Sequence, residues 1–311
     1  MAKIIITAAN SFIGRRLCKV LTDAGHFVYA VVRNSFTDKK MFDECQNLTL
    51  VYSDMDEYGK LYEKIDCSCD IGIALAWNGT RGKERDDQPL QEKNCRNSVS
   101  SVHSFIRKGC HIIMTAGSQA EYGPRNTTEK VQETDVCNPN TEYGRYKLKF
   151  FQQASRICES HRVRLIEPRF FSLYGPDDSD KTMIVSIIRN MLRNAPCELT
   201  LCIQMWDFLY IDDAVEALFK LLQSESAEGV YNLGSGISRQ LKDYIDIMKN
   251  ITGSKSTLLY GAVAYPVTGI VHTNPSIMRL RETIDWEPKV SFEEGIQRVA
   301  NMQRQCREMH I

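Results

Sequence analysis

The sequence lacks the features that mark several classes of protein. No apolar run approaches the roughly 20 residues that a membrane-spanning helix needs, and no charged-then-apolar signal peptide begins the chain. Among the 11 cysteines only Cys67 and Cys69 stand close together, and no second pair provides zinc spacing. We therefore expect reduced thiols, no metal site, no membrane partner and a cytoplasmic location.

An excess of one charge is also missing. The 311 residues include 39 Lys and Arg against 39 Asp and Glu, and no long basic run occurs. A nucleic-acid partner is therefore not expected, because binding to phosphates needs a concentrated positive surface. The length is sufficient to bury a substantial core, either as one large α/β domain or as a domain with a smaller lobe.

Short apolar runs alternate with helical patterns along the chain. Residues 3–7 form a continuous apolar run, which is typical of a strand buried on both faces of a parallel sheet. Further strands are predicted at 27–32, 48–52, 71–76, 111–115 and 163–166, and helices at 12–24, 141–160, 183–192, 211–222, 241–251 and 292–305. This alternation predicts an α/β fold, with a Rossmann-like doubly wound parallel sheet over 1–175 and a smaller C-terminal substrate-binding lobe over 176–311 that lends elements to the sheet.

Tyr143 and Lys147 are the most informative pair of residues. They stand four apart on one predicted helix, so the phenol and the ammonium lie on the same face. A lysine beside a tyrosine favours the phenolate, which predicts a lowered pKa for Tyr143 and proton exchange near neutral pH. Ser118 lies 25 residues before Tyr143, in a segment that follows an apolar run.

Three segments in this order resemble the extended short-chain dehydrogenase/reductase family, which includes nucleotide-sugar epimerases, dehydratases and ketoreductases. They are Ala-Gly-Ser-Gln-Ala-Glu-Tyr-Gly at 116–123, Tyr-Gly-Arg-Tyr-Lys at 143–147 and Pro-Arg-Phe-Phe-Ser-Leu-Tyr-Gly-Pro at 168–176. The resemblance extends over nearly the whole chain. It implies carbonyl–alcohol redox chemistry with a catalytic triad, in which Ser118 and Tyr143 share the substrate oxygen and Lys147 also binds the nicotinamide ribose.

The first strand leads into the turn where the family binds a dinucleotide. The family pattern Thr-Gly-x-x-Gly-x-x-Gly falls on residues 7–14, with Ala8 and Ser11 at the first two glycine positions and Gly14 at the third. Small residues let backbone amides and a helix N-terminus approach a pyrophosphate, although the β-carbon of Ala8 disfavours a positive φ and predicts weaker binding. The alternative for the turn is an α/β protein that no longer holds a dinucleotide there. The alternative for the function is a non-catalytic dinucleotide-binding or scaffold protein.

The end of the second strand bears on the choice of cofactor. Val32 stands where an NAD site usually has a carboxylate, and Arg33 offers guanidinium donors to a 2′-phosphate. NADP(H) is therefore favoured, with NAD possible, unless Arg33 is only a solvated surface residue. The resemblance places Asp54 at the adenine and residues 75–77 at the nicotinamide ribose. The residues predicted to contact the cofactor are Thr7, Ala8, Asn10, Ser11, Phe12, Ile13, Arg33, Asn34, Asp54, Met55, Leu75, Ala76, Trp77, Thr115, Tyr143, Lys147, Arg169 and Phe170. The alternative for Arg169, which ends a strand, is that it anchors the fold.

The residues after Ser118 narrow the reaction. Nucleotide-sugar dehydratases carry Asp-Glu at the next two positions, whereas this chain has Gln119 and Ala120, and alanine cannot transfer a proton. A ketoreductase needs only a hydride, a phenol and a hydroxyl. The leading hypothesis is therefore an NADP(H)-dependent reductase of a sugar-like ketone, specifically a nucleotide-activated 4-keto-deoxysugar, and the alternative is a nucleotide-sugar 4-epimerase that retains NAD.

The substrate end departs from the family pattern. Trp206 occupies the place of an arginine that grips the nucleotide diphosphate, and residues 261–273 contain no basic residue except His272. A buried diphosphate needs some cation. The candidates, each of which is alternatively a surface charge, are Arg81, Lys83, Arg85, Lys181, Arg189 and Arg193. The predicted substrate contacts are Trp77, Asn78, Arg81, Gln119, Ser172 and Trp206. By analogy, helices near 89–107 and 141–160 form a homodimer interface.

Overall fold

The computed structural model describes residues 1–125, 127–265 and 271–308. The strands are β1 Lys3–Thr7, β2 Phe27–Val32, β3 Leu48–Tyr52, β4 Ile71–Ala74, β5 Ile112–Thr115, β6 Gly117–Ser118, β7 Arg164–Phe170, β8 Ser172–Tyr174, β9 Cys197–Leu199, β10 Met205–Tyr210, β11 Gly229–Leu233, β12 Ser238–Gln240 and β13 Leu258–Tyr260. The α-helices are α1 Gly14–Asp23, α2 Gln88–Arg107, α3 Glu142–His161, α4 Met183–Leu192, α5 Ile211–Gln223, α6 Leu241–Thr252, α7 Met278–Ile284 and α8 Phe292–Glu308. Short 3-10 segments cover Lys39–Phe42, Met55–Lys64, Gly82–Asp86 and Gln119–Glu121.

A parallel sheet forms the centre of the fold, in the order β11-β7-β5-β4-β1-β2-β3, with β6 paired to β7. The order in which successive strands are added to the sheet reverses between β1 and β4, and the ligand crevice of a doubly wound sheet lies at such a point, outside the carboxyl ends of the strands. The predicted Rossmann-like doubly wound sheet is confirmed. The strand predicted at 163–166 continues to Phe170 because its last residues pair with both β6 and β11.

The apolar run of β1 is buried because the sheet is covered on both faces. Ile4 and Ile6 pack into one core cluster together with Leu17 of α1, while Ile5 packs into a second cluster with Phe105 of α2. All three isoleucines are fully buried. Successive side chains of a strand point to opposite faces, so a continuous apolar run is what a two-sided burial requires.

The second half of the chain adds two small sheets, β12-β10-β8 and β13-β9, and returns β11 to the edge of the main sheet. This return agrees with the expectation that the second half lends an element to the sheet. The boundary near residue 175 stays a prediction, and residues 266–270 and 309–311 of the predicted lobe lie outside the described residues. The sequence pattern does not predict the short helix α7. In the described ranges, no helix has both the length and the apolar character needed to cross a membrane.

Gly14 marks the closest approach between α1 and the turn after β1. A β-carbon at this position would lie 2.4 Å from the carbonyl oxygen of Ala8 and 2.8 Å from that of Ala9. Both atoms belong to the backbone and cannot swing away. The third glycine position of the turn is therefore retained because the helix and strand ends touch there.

We expect Gly14→Ala to lower the free energy of unfolding by about 1–3 kcal/mol, because the added methyl forces the turn and the helix apart. Urea unfolding followed by circular dichroism measures this loss. Gly59→Ala is the matched control, since a β-carbon at Gly59 meets only the Ser100 Cβ at 3.8 Å. Equal unfolding midpoints for the Gly14 variant and the wild type would show that the turn and the helix can separate without cost.

Candidate active site

Thr7 joins the ends of two neighbouring strands at the crevice. Its hydroxyl Oγ1 donates to the Ile73 carbonyl at 3.4 Å and accepts from the amides of Leu75 at 3.1 Å and Ala76 at 3.3 Å. The side chain is fully buried. The predicted cofactor residues on β1 and after β4 are therefore brought together.

The turn from Ala8 to Gly14 keeps a dinucleotide-binding shape without its first two glycines. Ala8 adopts a φ of 51°, the left-handed conformation that glycine provides more easily. The Ser11 amide donates to the Ala8 carbonyl at 2.9 Å, and the Gly14 amide donates to the Ser11 hydroxyl at 3.1 Å. The turn thus fits the backbone approach that a pyrophosphate needs, although the Ser11 side chain satisfies one of the amides at the start of α1. Asn10, Phe12 and Ile13 are half-buried in the same turn.

At the end of β2, Val32 is buried while Arg33 and Asn34 are exposed. The Asn34 backbone amide donates to the Asp54 carboxylate at 3.2 Å and its side-chain amide donates to the other oxygen at 2.9 Å. The same side chain also donates to Glu57 at 3.2 Å. Arg33, Asn34 and Asp54 therefore group as predicted, and Glu57 is an additional neighbouring carboxylate.

Ser118 and Tyr143 meet because α3 packs very closely against the 3-10 segment Gln119–Glu121. A β-carbon at Gly144 would lie 2.3 Å from the Ala120 carbonyl oxygen, so only glycine fits there. Thr141 caps the helix by accepting from the Gly144 amide at 3.1 Å. This contact places Tyr143 in the first turn of α3, where its phenol faces the Ser118 hydroxyl.

The pKa of Tyr143 differs from the sequence prediction. Burial raises the pKa of the phenol above its ordinary value, while the Ser118 hydrogen bond and the charge of Arg85 act in the opposite direction. Lys147 instead donates to the Ala116 carbonyl at 2.7 Å and lies 4.0 Å from the centre of the Trp77 ring. The predicted lowering of the Tyr143 pKa is therefore wrong for this geometry, because burial of the phenol outweighs the groups that favour its ionised form.

Lys147 is itself perturbed. Its side chain is almost fully buried, and the loss of hydration lowers the pKa of the ammonium to about 8. The carboxylates of Glu121 and Glu167 oppose this shift by favouring the charged form. The lysine consequently loses its positive charge at a pH close to the physiological range.

A buried ionic cluster, which we define as Thr115, Glu121, Glu167 and Arg169, lies behind the triad. The Arg169 Nε donates to Glu121 at 2.8 Å and lies 3.5 Å from Glu167, whose other oxygen accepts from Thr115 at 3.2 Å. Burial and the Glu121 charge raise the pKa of Glu167 well above its usual range. The guanidinium of Arg169, predicted to be near the cofactor, is thus engaged in the interior, which agrees with its alternative role as an anchor.

Glu121 is a site residue that is absent from the set predicted from the sequence. Its carboxylate accepts from the Ser118 amide at 2.7 Å, and the Ser118 hydroxyl accepts from the Ala120 amide at 3.2 Å. This is a capping box, which the spacing Ser118-x-x-Glu121 encodes. That spacing is the signal by which Glu121 could have been found.

The segment from Trp77 to Asp87 lies beside the triad and is held by α2. The Trp77 indole donates to Gln91 at 2.7 Å, and Asn94 pairs with the backbone of Asn78 through bonds of 3.3 and 2.8 Å. Both Gln91 and Asn94 are buried, and neither one is among the residues predicted from the sequence. Met55 also reaches this segment, since its sulfur accepts from the Asn78 side chain at 3.3 Å.

The predicted substrate residues Ser172 and Trp206 lie together on the small sheet. The Trp206 indole donates to the Ser172 hydroxyl at 2.9 Å, and the ring is half-buried. Phe170 ends the adjacent β7. Gln119 contributes a buried side-chain oxygen that has no hydrogen-bond partner among the described residues. An unsatisfied acceptor beside the triad is available to a ligand.

The candidate cations for a diphosphate fall into two groups. Arg81 lies 3.5 Å from Asp178, and Arg189 lies 2.7 Å from Asp180, so both have acidic partners. The remaining candidates form no ion pair within the described ranges. These are Lys83, Arg85, Lys181 and Arg193.

A doubly wound sheet with this turn and a Ser–Tyr–Lys triad at its carboxyl edge defines the extended short-chain dehydrogenase/reductase class. Comparisons with known proteins agree. The sequence model of the NAD dependent epimerase/dehydratase family matches residues 4–234. The chain belongs to this family and is an NAD(P)-dependent enzyme. This finding confirms the resemblance and argues against the alternative of a non-catalytic protein.

Individual relatives span nearly the same length. CDP-abequose synthase from Salmonella muenchen is 26% identical and the match covers 96% of this chain and 97% of the relative. ADP-L-glycero-D-manno-heptose-6-epimerase from Cupriavidus pinatubonensis is 25% identical, with coverages of 79% and 77%. Among solved structures, UDP-glucose 4-epimerase from Thermotoga maritima superimposes with a TM-score of 0.87 at 19% identity, covering 98% of this chain and 99% of the other.

Removal of Glu121 tests the buried cluster. We expect Glu121→Ala to lower the free energy of unfolding by about 3 kcal/mol, the lower end of the range for a broken buried ion pair, because Glu167 remains as a partner for Arg169. Urea unfolding measures the loss. Glu225→Ala removes an exposed glutamate and should change stability by less than about 0.5 kcal/mol. A Glu121 variant as stable as this control would show that the ion pair contributes little.

Proposed function

We propose that the protein is an NADP(H)-dependent reductase of a sugar-like ketone, specifically a nucleotide-activated 4-keto-deoxysugar. The observation that carries the proposal is the grouping of Ser118, Tyr143 and Lys147 beside the 7–14 turn, with Gln119 and Ala120 where a dehydratase has acids. The named substrates of the relatives support the substrate class, since a CDP-sugar synthase and epimerases of ADP- and UDP-sugars are among them.

Each triad residue has a separate task in this reaction. When bound, NADPH supplies the hydride for the carbonyl carbon. Tyr143 donates its phenolic proton to the carbonyl oxygen, and Ser118 donates a hydrogen bond to the same oxygen. Burial holds Tyr143 protonated at neutral pH, which is the state that a proton donor needs. Lys147 supports the cofactor ribose and the nearby backbone of Ala116.

We assign the substrate side to Trp77 and Gln119, which adjoin the triad, together with the residues that the family resemblance places near them. Trp77 and Trp206 offer ring faces to a sugar or a base, and Gln119 offers its unsatisfied carbonyl oxygen. Asn78 and Ser172 add polar groups, while Arg81 stands 54% exposed at the rim despite its contact with Asp178. Lys83, Lys181 and Arg193 are exposed cations that replace the missing family arginine as partners for a diphosphate.

A 4-epimerase that retains NAD is the second candidate, and one observation favours it. The carboxylates of Asp54 and Glu57 both bind the Asn34 side chain, directly beside the position of a 2′-phosphate. Negative charge there disfavours NADP(H) and suits the ribose hydroxyls of NAD. Mass spectrometry of the purified protein distinguishes the two, since retained NAD supports the epimerase and an empty protein that binds NADPH on titration supports the reductase.

The predicted homodimer belongs to the same proposal. Helices α2 and α3 pack against each other on one face of the sheet, where the analogy places the dimer interface. Light scattering coupled to size exclusion measures the mass in solution. The cytoplasmic location also stays a prediction.

Tyr143→Phe removes the proton donor and keeps the packing of the ring. We expect NADPH-dependent turnover of a nucleotide-activated 4-keto sugar to fall by about 10²–10⁴-fold, the usual range for a positioned acid–base group. The absorbance of NADPH reports the rate. Tyr146→Phe on the same helix is the matched control and should keep nearly full activity. Wild-type turnover in the Tyr143 variant would eliminate the mechanism.

Arg33→Ala tests the cofactor preference. A guanidinium–phosphate pair contributes about 1.5–3 kcal/mol, so NADPH should bind the wild type at least about tenfold more tightly than NADH. We expect the variant to lose most of this difference while its NADH affinity stays nearly unchanged, and we expect added salt to narrow the difference in the wild type. Calorimetric titration measures both affinities, with the exposed Arg156→Ala as the control. Equal wild-type affinities would raise the epimerase above the reductase.

A further inference from the structure

We propose that Arg85 is a positioning residue whose charge stabilises the ionised form of Tyr143, the task that the sequence spacing predicts for Lys147. The proton affinity of this one phenol can be measured without a substrate. Its catalytic meaning rests on the proposed function, in which that phenol transfers the proton.

The guanidinium of Arg85 lies directly over the aromatic ring of Tyr143. The distance from its central carbon to the ring centroid is 4.6 Å. The side chain is half-buried, and its Nη1 donates to the Thr80 carbonyl at 3.2 Å. Within the described ranges Arg85 forms no ion pair, so no carboxylate neutralises the charge that faces the ring.

Buried contacts hold the segment that carries Arg85. The side chain of Gln91, fully buried on α2, donates to the carbonyls of Gly79 at 2.9 Å and Glu84 at 2.8 Å. Asp86 then accepts from the Glu142 amide at 3.2 Å, which ties the segment to the first turn of α3. Hydrogen bonds on both sides of Arg85 therefore hold it beside Tyr143, the residue that follows Glu142 in the helix.

Lys147 is less suited to this task. Its ammonium lies 5.9 Å from the centroid of the Tyr143 ring and donates to the Ala116 carbonyl instead. Burial lowers the pKa of Lys147 to about 8, so at alkaline pH it becomes neutral before the phenol ionises. A guanidinium stays charged throughout that range and can remain over the ring as negative charge develops.

Apart from Lys147, the other groups named around Tyr143 are neutral or anionic. Ser118 at the end of β6 favours the phenolate as a neutral donor, and Glu121 in the segment after β6 opposes it as an anion. Trp77 packs edge-on at 6.3 Å. Cys95 from α2 and Glu167 from β7 act on Lys147 rather than on the phenol. Arg85 therefore lies closer to the Tyr143 ring than Lys147 does, at 4.6 Å against 5.9 Å, and its charge lowers the pKa of the phenol.

The test measures the phenol directly. A fluorinated tyrosine, whose phenol ionises at lower pH than tyrosine, is incorporated at position 143 of the full-length protein, and its single ¹⁹F resonance is titrated with pH. We expect Arg85→Gln to raise the pKa of that phenol by about one unit, the low end of the effect of a neighbouring opposite charge, because the guanidinium is partly solvated. Arg85→Lys should restore at least half of the difference, and Lys83→Gln on the same segment should leave the value unchanged.

Each outcome decides the inference. An unchanged pKa in Arg85→Gln overturns it, and a value in Arg85→Lys as high as that in Arg85→Gln also overturns it, because the effect would then come from the shape of the segment and not from charge. If the enzyme proves inactive as a ketone reductase while the ¹⁹F titration shifts as expected, the proposed function fails and the assignment of Arg85 stands. If reduction is observed, the alkaline limb of kcat/KM should move to higher pH in Arg85→Gln in step with the phenol.

Discussion

The close contact between the start of α3 and the segment Ser118–Glu121 is the constraint on which the rest of the site depends. It requires glycine at position 144, because any β-carbon would collide with the Ala120 carbonyl. It also requires a rigid partner surface, which the Ser118–Glu121 capping box and the Glu121–Arg169 ion pair provide. Removing hydration from Glu121 is costly, and Arg169 offsets that cost only while both remain in place. The triad is therefore positioned by the buried ionic cluster that lies behind it.

Desolvation, more than proximity, sets the proton affinities of the triad. The same burial raises the pKa of Tyr143 and lowers that of Lys147, because both charged forms lose water. The Ser118 hydrogen bond and, after it, the charge of Arg85 over the phenol ring offset part of the effect on Tyr143 without reversing it. Arg85 thereby connects a surface-facing segment to the chemistry.

The nucleotide-binding turn shows how a fold tolerates the loss of motif glycines. Ala8 keeps the left-handed conformation that glycine would adopt, and the Ser11 hydroxyl accepts a hydrogen bond from the Gly14 amide at the start of α1. Such a conformation is strained for alanine, by about 1 kcal/mol relative to glycine. The rest of the turn keeps its shape for two reasons. Thr7 hydrogen-bonds the segment after β4, and Gly14 lets α1 lie against the backbone of the turn.

The sequence by itself determined the family and the main architecture. Its alternating apolar runs and helical patterns are local signals, so the parallel sheet and most helices follow from them, while the Ser118–Tyr143–Lys147 grouping follows from the resemblance to the family. The assigned roles of these residues stay predictions. Other features depended on tertiary structure. Glu121 reads as one more polar loop residue until the fold buries it against Arg169, and Arg85 reads as a surface charge until α2 fixes its segment over Tyr143. The direction of the Tyr143 pKa was also decided there, because burial and the direction of the Lys147 ammonium arise from contacts between segments far apart in the chain.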